Sequence, residues 1–458
     1  VIYNNGGYVE ENGHLKIKTQ LNTSSTNPWR IIYNDGNNGT FFFRGEISRN
    51  NSYVSNPDLY AIENYAGIQL TNASILNGAG KINNKGKLYT ENTVKAYTGV
   101  ENQKNAQAFI QGTFDLNTNS YYNYGMTKFG DVDNDTTKVL KAKIYSYGDG
   151  TEYTASSPNA GNNYQTYYTQ NYQNGSIIFD NNITSQSSLR IYSGYVCFNH
   201  KGQFNNIGTV VVSDGGSLHL DGDNVVFEAP VTVDGSSANL HISKYKTGEI
   251  FSKKISNSSG SVELDNIGKV DTITSNGYVR INAAQNEVYN LYNYGNGKIF
   301  QSYGYVDTII NGKDETDSNS VISKNAIYYQ SGGRIGSAGS TKALINYGIF
   351  HMGDSACGKN TKGTAYGTVF NAGTMCIGSA AYFNQKSVIG SLDTRSNFQN
   401  TGKLYNNNGE IYVTNFGNLG SGVVQNQREA GMNVNTLIDV SGIFTNQATL
   451  ESYSGTIK

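Results

Sequence analysis

Charged side chains are scarce in this sequence: Asp, Glu, Lys and Arg account for 15% of 458 residues, and the formal net charge is −1. An average soluble protein carries about 25% charged residues. Because the composition suggests no basic surface for a phosphate backbone, nucleic acid is not an expected partner. The sequence also lacks any run of 18 apolar residues, so we expect no transmembrane segment.

Asn and Gly are abundant instead, with 61 and 53 residues. They recur in a heptapeptide of the form apolar-x-Asn-x-Gly-x-apolar, which composition alone would produce about once. Nine copies occur, at Tyr3–Val9, Ile82–Leu88, Phe204–Val210, Leu264–Val270, Leu344–Phe350, Val369–Met375, Phe398–Leu404, Tyr405–Ile411 and Val413–Leu419. The sequence is therefore internally repetitive.

The heptapeptide predicts a tight turn between two short strands. Gly adopts positive φ without cost and Asn adopts it more readily than other residues, so both are expected at the turn. The apolar residues at the two ends are expected to face inward. Two variants, Ile62–Ile68 and Phe444–Leu450, carry Ala in place of Gly, so not every copy requires positive φ there.

The spacing of the copies predicts an all-β solenoid with coils of roughly 22–29 residues. Leu344, Val369 and Phe398 follow one another at 25 and 29 residues and are expected to form one buried column. A second series has two apolar residues around a polar one: Leu189–Ile191, Leu218–Leu220, Leu240–Ile242 and Val262–Leu264. We expect one elongated domain over residues 1–458.

Three cysteines occur, Cys197, Cys357 and Cys376, so they cannot all pair with one another. If Leu344 stacks on Val369, His351 lies over Cys376 and Cys357 lies over Tyr382. This register favours buried or unpaired thiols, and a Cys357–Cys376 bridge is the alternative.

The stretch from residue 115 to residue 172 lacks the heptapeptide and is rich in Tyr. We interpret it as a hairpin and loop insertion that projects from the solenoid, since insertions on solenoids commonly carry the binding face. An ordinary loop that covers the edge of a coil is the alternative. The candidate contact residues are Tyr121, Tyr122, Tyr124, Tyr164, Tyr167 and Tyr168.

The same stretch contains Asp131, Asp133 and Asp135 at alternate positions. This spacing directs three carboxylates at one cation and predicts a calcium site. Thr136 and Ala142 stand where an EF-hand loop has Gly and a bidentate Glu, so a solvated turn cluster is the alternative. No other cofactor is expected.

Other candidate chemistry is limited. His219 and His241 are expected on adjacent coils, facing outward in one column with Arg190 and Glu263. They could share a transition metal, although an exposed polar column is the simpler interpretation. The sequence contains no G-x-S-x-G, H-E-x-x-H or P-loop motif, so we expect no enzymatic activity.

The repeats LINYGIF, VFNAGTM, FQNTGKL and YNNNGEI, the low charge and the Ser/Thr/Asn/Gly-rich surface resemble the passengers of bacterial autotransporter and filamentous-haemagglutinin-type adhesins. The resemblance covers the chain outside the Tyr-rich stretch. It implies a right-handed parallel β-helix that is secreted and displayed as a rod on the cell surface. The chain starts at Val1 without a basic and apolar leader, so we expect a mature or excised segment.

Three functions follow from these interpretations. The first is a non-enzymatic extracellular adhesin whose partner is a ligand on a host cell, a neighbouring cell or matrix. The second is a structural subunit of a surface fibre, sheath or layer, in which copies of the chain bind one another. A carbohydrate-active β-helix enzyme is the third, but Asp265 and Asp271 lie in one repeat without a matching second row.

Overall fold

A computed structural model describes residues 2–17, 30–35, 39–49, 60–76, 79–130, 138–149, 152–155, 170–180, 183–185, 187–198, 204–222, 225–227, 229–243, 250–265, 269–353, 362–378, 386–427, 436–453 and 455–458. The chain separates into two compact units, Val1–Ala229 and Pro230–Lys458. Each unit is described by itself below. One elongated domain over residues 1–458 stays a prediction.

The described residues form 48 β-strands and no helix. Strand pairings with described residue partners are parallel, with one exception, the antiparallel pair β14–β15. The all-β prediction is therefore confirmed, and the parallel pairing is that of a β-solenoid.

The strands of the first unit are β1 (Ile2–Asn5), β2 (Tyr8–Ile17), β3 (Arg30–Asp35), β4 (Thr40–Arg49), β5 (Tyr60–Asn64), β6 (Gly67–Ile75), β7 (Lys81–Asn84), β8 (Lys87–Ala96), β9 (Val100–Asn102), β10 (Gln107–Ile110), β11 (Thr113–Asn123), β12 (Met126–Phe129), β13 (Lys138–Ser146), β14 (Glu152–Ala155), β15 (Gln170–Gln173), β16 (Ser176–Phe179), β17 (Ile183–Ser185), β18 (Ser188–Ile191), β19 (Gly194–Phe198), β20 (Phe204–Ile207), β21 (Val210–Val212), β22 (Gly216–Leu220) and β23 (Val225–Phe227).

The strands of the second unit are β24 (Val231–Val233), β25 (Asn239–Ile242), β26 (Ile250–Asn257), β27 (Ser261–Leu264), β28 (Lys269–Ser275), β29 (Tyr278–Ile281), β30 (Glu287–Asn293), β31 (Lys298–Gln301), β32 (Tyr305–Asn311), β33 (Ile327–Gln330), β34 (Arg334–Ile335), β35 (Leu344–Asn346), β36 (Ile349–Met352), β37 (Thr364–Ala365), β38 (Thr368–Asn371), β39 (Thr374–Ile377), β40 (Val388–Ile389), β41 (Ser396–Asn400), β42 (Lys403–Asn407), β43 (Glu410–Asn418), β44 (Val423–Gln427), β45 (Leu437–Val440), β46 (Phe444–Asn446), β47 (Thr449–Tyr453) and β48 (Thr456–Ile457).

In each unit the strands form three parallel ladders, and each turn of the chain adds one strand segment to each ladder. In the first unit, ladder 1 comprises β1, β3, β5, β7, β9, the second halves of β11 and β13, β18 and β21. Ladder 2 runs through the first halves of β4, β6 and β8, and then β10, β12, β16, β19 and β22. Ladder 3 includes the second halves of β6 and β8, the first halves of β11 and β13, and then β17, β20 and β23.

The predicted column of Leu344, Val369 and Phe398 is confirmed. The three residues are partners in successive parallel strands, and all three are buried. Sequence separations between partners on adjacent coils run from 18 residues (Ile82 to Val100) to 50 (Met126 to Ser176) in the first unit. In the second unit they run from 17 (Val262 to Val279) to 35 (Ile309 to Leu344). The coil length is therefore more variable than the predicted 22–29 residues.

The role predicted for the heptapeptide Asn is wrong. In the copies that fit the register, Asn84, Asn346, Asn371 and Asn400 are fully buried and none has positive φ. Each amide donates to the equivalent amide of the next coil, as Asn371 Nδ2 does to Asn400 Oδ1 at 2.8 Å. The Asn therefore recurs in the pattern because it links one coil to the next, and we call these buried, hydrogen-bonded Asn side chains the asparagine ladder.

The prediction of positive φ for the heptapeptide Gly is correct for Gly7, whose φ is 102°, but wrong in the copies that fit the register. Gly373 and Gly402 do not have positive φ, but a Cβ atom on Gly373 would overlap the carbonyl oxygen of Gly348. A Cβ atom on Gly402 would likewise overlap the carbonyl oxygen of Gly373. Gly is needed here because successive turns of backbone approach one another closely.

Among the heptapeptides whose Asn the structure describes, three are out of register with the ladder. In Tyr3–Val9 and Tyr405–Ile411 the ladder residues are Asn4 and Asn406, one position before the Asn of the pattern. In Val413–Leu419 the pattern Asn, Asn415, is exposed and the ladder residue is Asn418. The pattern alone does not say which Asn of an Asn-rich segment faces inward.

The second predicted series, with two apolar residues around a polar one, is confirmed for its last two members. Leu240, His241 and Ile242 pair in register with Val262, Glu263 and Leu264. Leu189, however, pairs with Val210, and the strand that pairs with Leu218–Leu220 contains Val196. Arg190 therefore does not lie in a column with His219, because Arg190 is on ladder 1 and His219 is on ladder 2.

The predicted insertion over residues 115–172 is wrong for most of its described part. β11, β12 and β13 are ordinary members of the three ladders, and their inward side chains, such as Leu116, Phe129 and Ile144, are buried. Only the antiparallel pair β14–β15 departs from the parallel pattern. The coil was hidden in the sequence because Asn123 belongs to the asparagine ladder without a complete heptapeptide around it.

Replacing Gly373 by Ala tests the close approach of the backbones. We expect Gly373→Ala to cost about 1–3 kcal/mol, because the added methyl group overlaps a backbone oxygen that cannot move independently. Gly417→Ala is the matched control, since a Cβ atom there meets only the Leu419 side chain at ordinary contact distance. The urea midpoint of each variant gives the comparison, and equal midpoints would contradict this role for Gly373.

Replacing Asn371 by Ala tests the asparagine ladder. The change leaves one N–H of the Asn346 amide without its acceptor, and the Asn400 side-chain oxygen without its donor. With about 1–3 kcal/mol for each unpaired buried group, Asn371→Ala should lower the free energy of unfolding by about 2–5 kcal/mol. Asn415→Ala, in the out-of-register copy, should cost about 1 kcal/mol or less. Similar losses in urea denaturation would show that the ladder has no special role.

Candidate functional site

One surface of the first unit is dominated by tyrosine. Along ladder 1 the side chains alternate, so the residues on either side of each ladder Asn face outward. In both outward columns Tyr is the commonest residue. We call this surface the tyrosine face and define it by Tyr3, Tyr33, Tyr65, Tyr122, Tyr124, Tyr145, Tyr147 and Tyr192, with Lys81, Lys85, Glu63 and Glu101 between them.

The rings of this face stack from coil to coil. The ring centroids of Tyr124 and Tyr147 are 5.0 Å apart, and those of Tyr147 and Tyr192 are 4.9 Å apart, with planes within 15° of parallel. Tyr122 stacks on Tyr145 in the neighbouring column at 5.1 Å. Stacking fixes the orientation of the rings, while Tyr124 and Tyr192 remain 37% exposed. The face is therefore both ordered and accessible.

Charges on the tyrosine face are paired within it. The buried carboxylate of Glu63 binds Arg30 and, at 2.8 Å, the ammonium group of Lys85, which also lies over the Tyr65 ring. Lys81 binds Glu101 at 2.7 Å. Burial lowers the pKa of Lys81, but the hydrogen bond to Glu101, the negative charge of that carboxylate and smaller contributions from Tyr122 and Tyr60 together outweigh burial and hold the pKa above its ordinary value.

The phenol groups of Tyr124 and Tyr147 stay neutral at physiological pH, because the pKa of each is raised. Burial raises the pKa of Tyr147, and the neighbouring tyrosines, Tyr192 first, raise it further. Burial raises the pKa of Tyr124 in the same way. Neutral phenols offer a ring for apolar contact and a hydroxyl that donates and accepts hydrogen bonds. This combination suits a contact surface rather than acid–base chemistry.

The predicted contact residues divide into three groups. Tyr122 and Tyr124 lie on the tyrosine face as expected from their place next to Asn123. Tyr121 is fully buried, with its hydroxyl 2.7 Å from Thr127 Oγ1, so its prediction as a contact residue is wrong. Strand alternation is the reason, because Tyr121 is two residues before the buried Asn123. Tyr164, Tyr167 and Tyr168 lie outside the described residues.

Sequence reasoning missed the tyrosines at the other end of the face, Tyr3, Tyr33 and Tyr65, and also Tyr192. Tyr3 and Tyr33 stack with centroids 5.3 Å apart. A usable signal existed, since Tyr3, Tyr33 and Tyr65 each adjoin a residue of the asparagine ladder. The predicted calcium ligands Asp131, Asp133 and Asp135 lie outside the described residues, so that site stays a prediction.

A second polar cluster lies on the second unit and consists of His241, Glu263, Asp265 and Arg280. We call it the Arg280 cluster. Parallel register brings it together, because His241, Glu263 and Arg280 are partners on β25, β27 and β29. One ligand atom each of His241, Glu263 and Asp265 lies within 4.8 Å of the others. Because His241, Glu263 and Arg280 lie on three successive paired strands, the backbone fixes the distances between their Cα atoms.

Arg280 determines what this cluster can do. Its Nη2 atom is 2.7 Å from Glu263 Oε2 and 2.7 Å from Asp265 Oδ2, and His241 Nε2 is 3.0 Å from the same Asp265 oxygen. A metal ion bound here would compete with the guanidinium group for both carboxylates. His219, the other residue of the predicted metal pair, lies in the first unit next to Ser217.

The protonation of Asp265 follows from the same contacts. Burial raises the pKa of this carboxyl, but hydrogen bonds from His241 and Arg280 outweigh burial and hold the pKa below its ordinary value. Asp265 is therefore ionised at neutral pH and holds no proton for general acid catalysis.

Cys197 and Cys376 are free thiols. His351 pairs in register with Cys376, as predicted, and Cys357 lies outside the described residues. Burial, with a further contribution from the Asp221 carboxylate 3.5 Å from the sulfur, raises the pKa of the Cys197 thiol to about 12. At neutral pH this thiol is protonated and is a poor nucleophile.

No protein-family model matches the chain, and neither does a curated protein or a solved structure. The resemblance to autotransporter and filamentous-haemagglutinin-type passengers therefore rests on sequence pattern alone. Among the described residues, no helix has the length and apolar character needed to cross a membrane.

The Arg280 cluster predicts a pH-dependent contribution to stability. Because the pKa of Asp265 is lowered by folding, its carboxylate stabilises the folded state above the unfolded pKa of about 3.9, and this contribution is lost as the pH falls through the folded pKa. Asp265→Asn should therefore lower the melting temperature at pH 7 and have little effect near a pH of about 2. Asp271→Asn, at an exposed position, is the control. A loss for Asp265→Asn that is independent of pH would contradict the assignment.

Proposed function

We propose that this chain is a secreted, non-enzymatic surface protein that adheres to cells or to extracellular matrix through the tyrosine face of its first unit. The observation that carries this proposal is the array of stacked, accessible phenol rings on a rigid ladder. Tyr supplies a large contact area at low cost in conformational entropy, and it is enriched in binding surfaces. Stacking within the face reduces that cost further, because the rings are ordered before a partner arrives.

The paired charges support the same proposal. Glu63 and Glu101 have their cationic partners within the face, so a partner need not supply compensating charge. The rings and hydroxyls are then the groups that meet the partner. We also propose that the coils are right-handed, since about 98% of parallel crossover connections are. A location outside the cell, with calcium at Asp131, Asp133 and Asp135, belongs to the same proposal.

The tyrosine face allows a second function, in which it binds further copies of the chain within a fibre or surface layer. A surface without unpaired charge has little repulsion to prevent association of like copies. The two functions differ in the identity of the partner and share the residues that make the contact.

Replacing three stacked tyrosines tests both functions. The variant Tyr124→Ser/Tyr147→Ser/Tyr192→Ser keeps hydroxyl groups but removes the rings, and we expect adhesion to cells or matrix to fall at least about tenfold, which corresponds to about 1.4 kcal/mol. Tyr303→Ser is the control, because Tyr303 is 56% exposed and belongs to the second unit. Circular dichroism should show the same β-structure in all three proteins.

The outcome also separates the two functions. Sedimentation velocity over a range of concentrations reports self-association, and its loss in the triple variant with adhesion unaffected would favour the structural subunit. If the folded triple variant keeps both adhesion and self-association, the tyrosine face is not the binding surface.

A further inference from the structure

The sequence contains eight tripeptides of the form Asn-x-Ser/Thr with x other than Pro, the pattern that directs N-linked glycosylation in secreted proteins. They begin at Asn22, Asn38, Asn50, Asn72, Asn134, Asn174, Asn182 and Asn257. The structure describes Asn72, Asn174 and Asn257 and distinguishes sharply among them.

Asn257 has no room for a glycan. Its side chain is 1% exposed, and its Nδ2 atom donates to Gly260 O and Tyr278 O, both at 3.0 Å. An N-linked glycan is attached to this nitrogen and replaces one of its hydrogens, so a modified Asn257 could not keep these bonds. The attached sugar would also need a path to solvent through the corner of the coil.

Asn174 is buried to the same extent. Its Oδ1 atom accepts the backbone N–H of Asn105 at 2.9 Å, and its Nδ2 atom donates to Asn105 Oδ1 at 3.1 Å. The amide therefore links two distant parts of the first unit. A glycan on this nitrogen is incompatible with the folded arrangement.

Asn72 has the opposite environment. It is exposed and adopts a φ of 47° at the bend between the two halves of β6, where the register with β8 shifts between Thr71 and Ala73. Thr71 and Ala73 are buried, so the side chain between them points away from the core. Asn92 and Asn117 adopt the same left-handed conformation at bends of neighbouring coils, each with a φ of 58°, but neither begins such a tripeptide.

We propose that Asn72 is an N-glycosylation site. In the transfer, the Asn72 amide nitrogen forms a bond to the anomeric carbon of a lipid-diphosphate-linked oligosaccharide. The amide loses one proton, and the lipid diphosphate leaves with the electrons of the broken bond. The proposal rests on secretion, which is part of the proposed function, and it is independent of what the tyrosine face binds.

The position of Asn72 leaves the tyrosine face uncovered. The first half of β6 belongs to ladder 2 and the second half to ladder 3, so the bend lies between these two ladders. The tyrosine face lies on ladder 1. A glycan at Asn72 would shield polar backbone at a bend without competing for the proposed binding surface.

The test is site-by-site glycan mapping of the full chain, secreted from a eukaryotic host behind a cleavable signal and purified from the medium. Amidase release in heavy-oxygen water marks each occupied Asn for mass spectrometry. We expect occupancy at Asn72 and none at Asn174 or Asn257 in the folded protein. Ser74→Ala should abolish the glycan at Asn72 while the Asn itself remains.

A matched gain-of-site variant strengthens the test. Asn119→Ser completes the same tripeptide at Asn117, which is exposed and has the conformation of Asn72, and it should add one glycan there. Folding is checked by circular dichroism, since Asn119 Nδ2 donates to Tyr97 O. An unmodified Asn72 in the secreted, folded chain would overturn the proposal, and so would a glycan on folded Asn257. Neither result bears on adhesion, which is measured separately with the tyrosine variants.

Discussion

The side-chain amide of the ladder Asn is the interaction on which the coils of both units depend. Each amide has two donor hydrogens, and the structure uses both. Asn34 Nδ2 donates to Asn64 Oδ1 at 2.7 Å and to Gly67 O at 2.8 Å, and Asn371 Nδ2 donates to Asn400 Oδ1 and to Lys403 O in the second unit. A buried amide is costly unless it is paired, so a slip of one residue would leave both donors unsatisfied. In the coils that carry a ladder Asn, the ladder thereby fixes the register of one coil against the next.

The surface follows from this fixed register. Once Asn123 faces inward, Tyr122 and Tyr124 must face outward, and the next coil places Tyr145 and Tyr147 directly over them. Cross-strand aromatic pairs contribute roughly 0.2–1 kcal/mol each, so the stacks also stabilise the coils that carry them. The tyrosine face that we propose as the binding surface is therefore part of the scaffold itself, and the spacing between its rings is set by the spacing between the strands.

Much of the fold could be predicted from the sequence, and the reason is periodicity. The column of Leu344, Val369 and Phe398 follows from spacing alone. The direction in which an Asn points does not, because Asn suits both a turn and a buried ladder, and Asn415 and Asn371 have the same neighbours at the level of the pattern. Side chains alternate along a strand, but this shows that Tyr121 faces inward and Tyr122 outward only after one inward residue is known. The sequence therefore predicts that tyrosines form the candidate site, but not which tyrosines face outward.

The two polar surfaces differ in what they leave for a partner. In the Arg280 cluster, a single guanidinium group already bonds to Glu263 and Asp265, and a new ligand must displace it before it reaches either carboxylate. On the tyrosine face the opposite charges neutralise one another beneath or between the rings, and the exposed parts of Tyr124 and Tyr192 stay available. Binding there removes little charge from water and orders few side chains, so two costs of association are small. The scarcity of charge in the sequence and the abundance of tyrosine on one ladder thus favour function by contact.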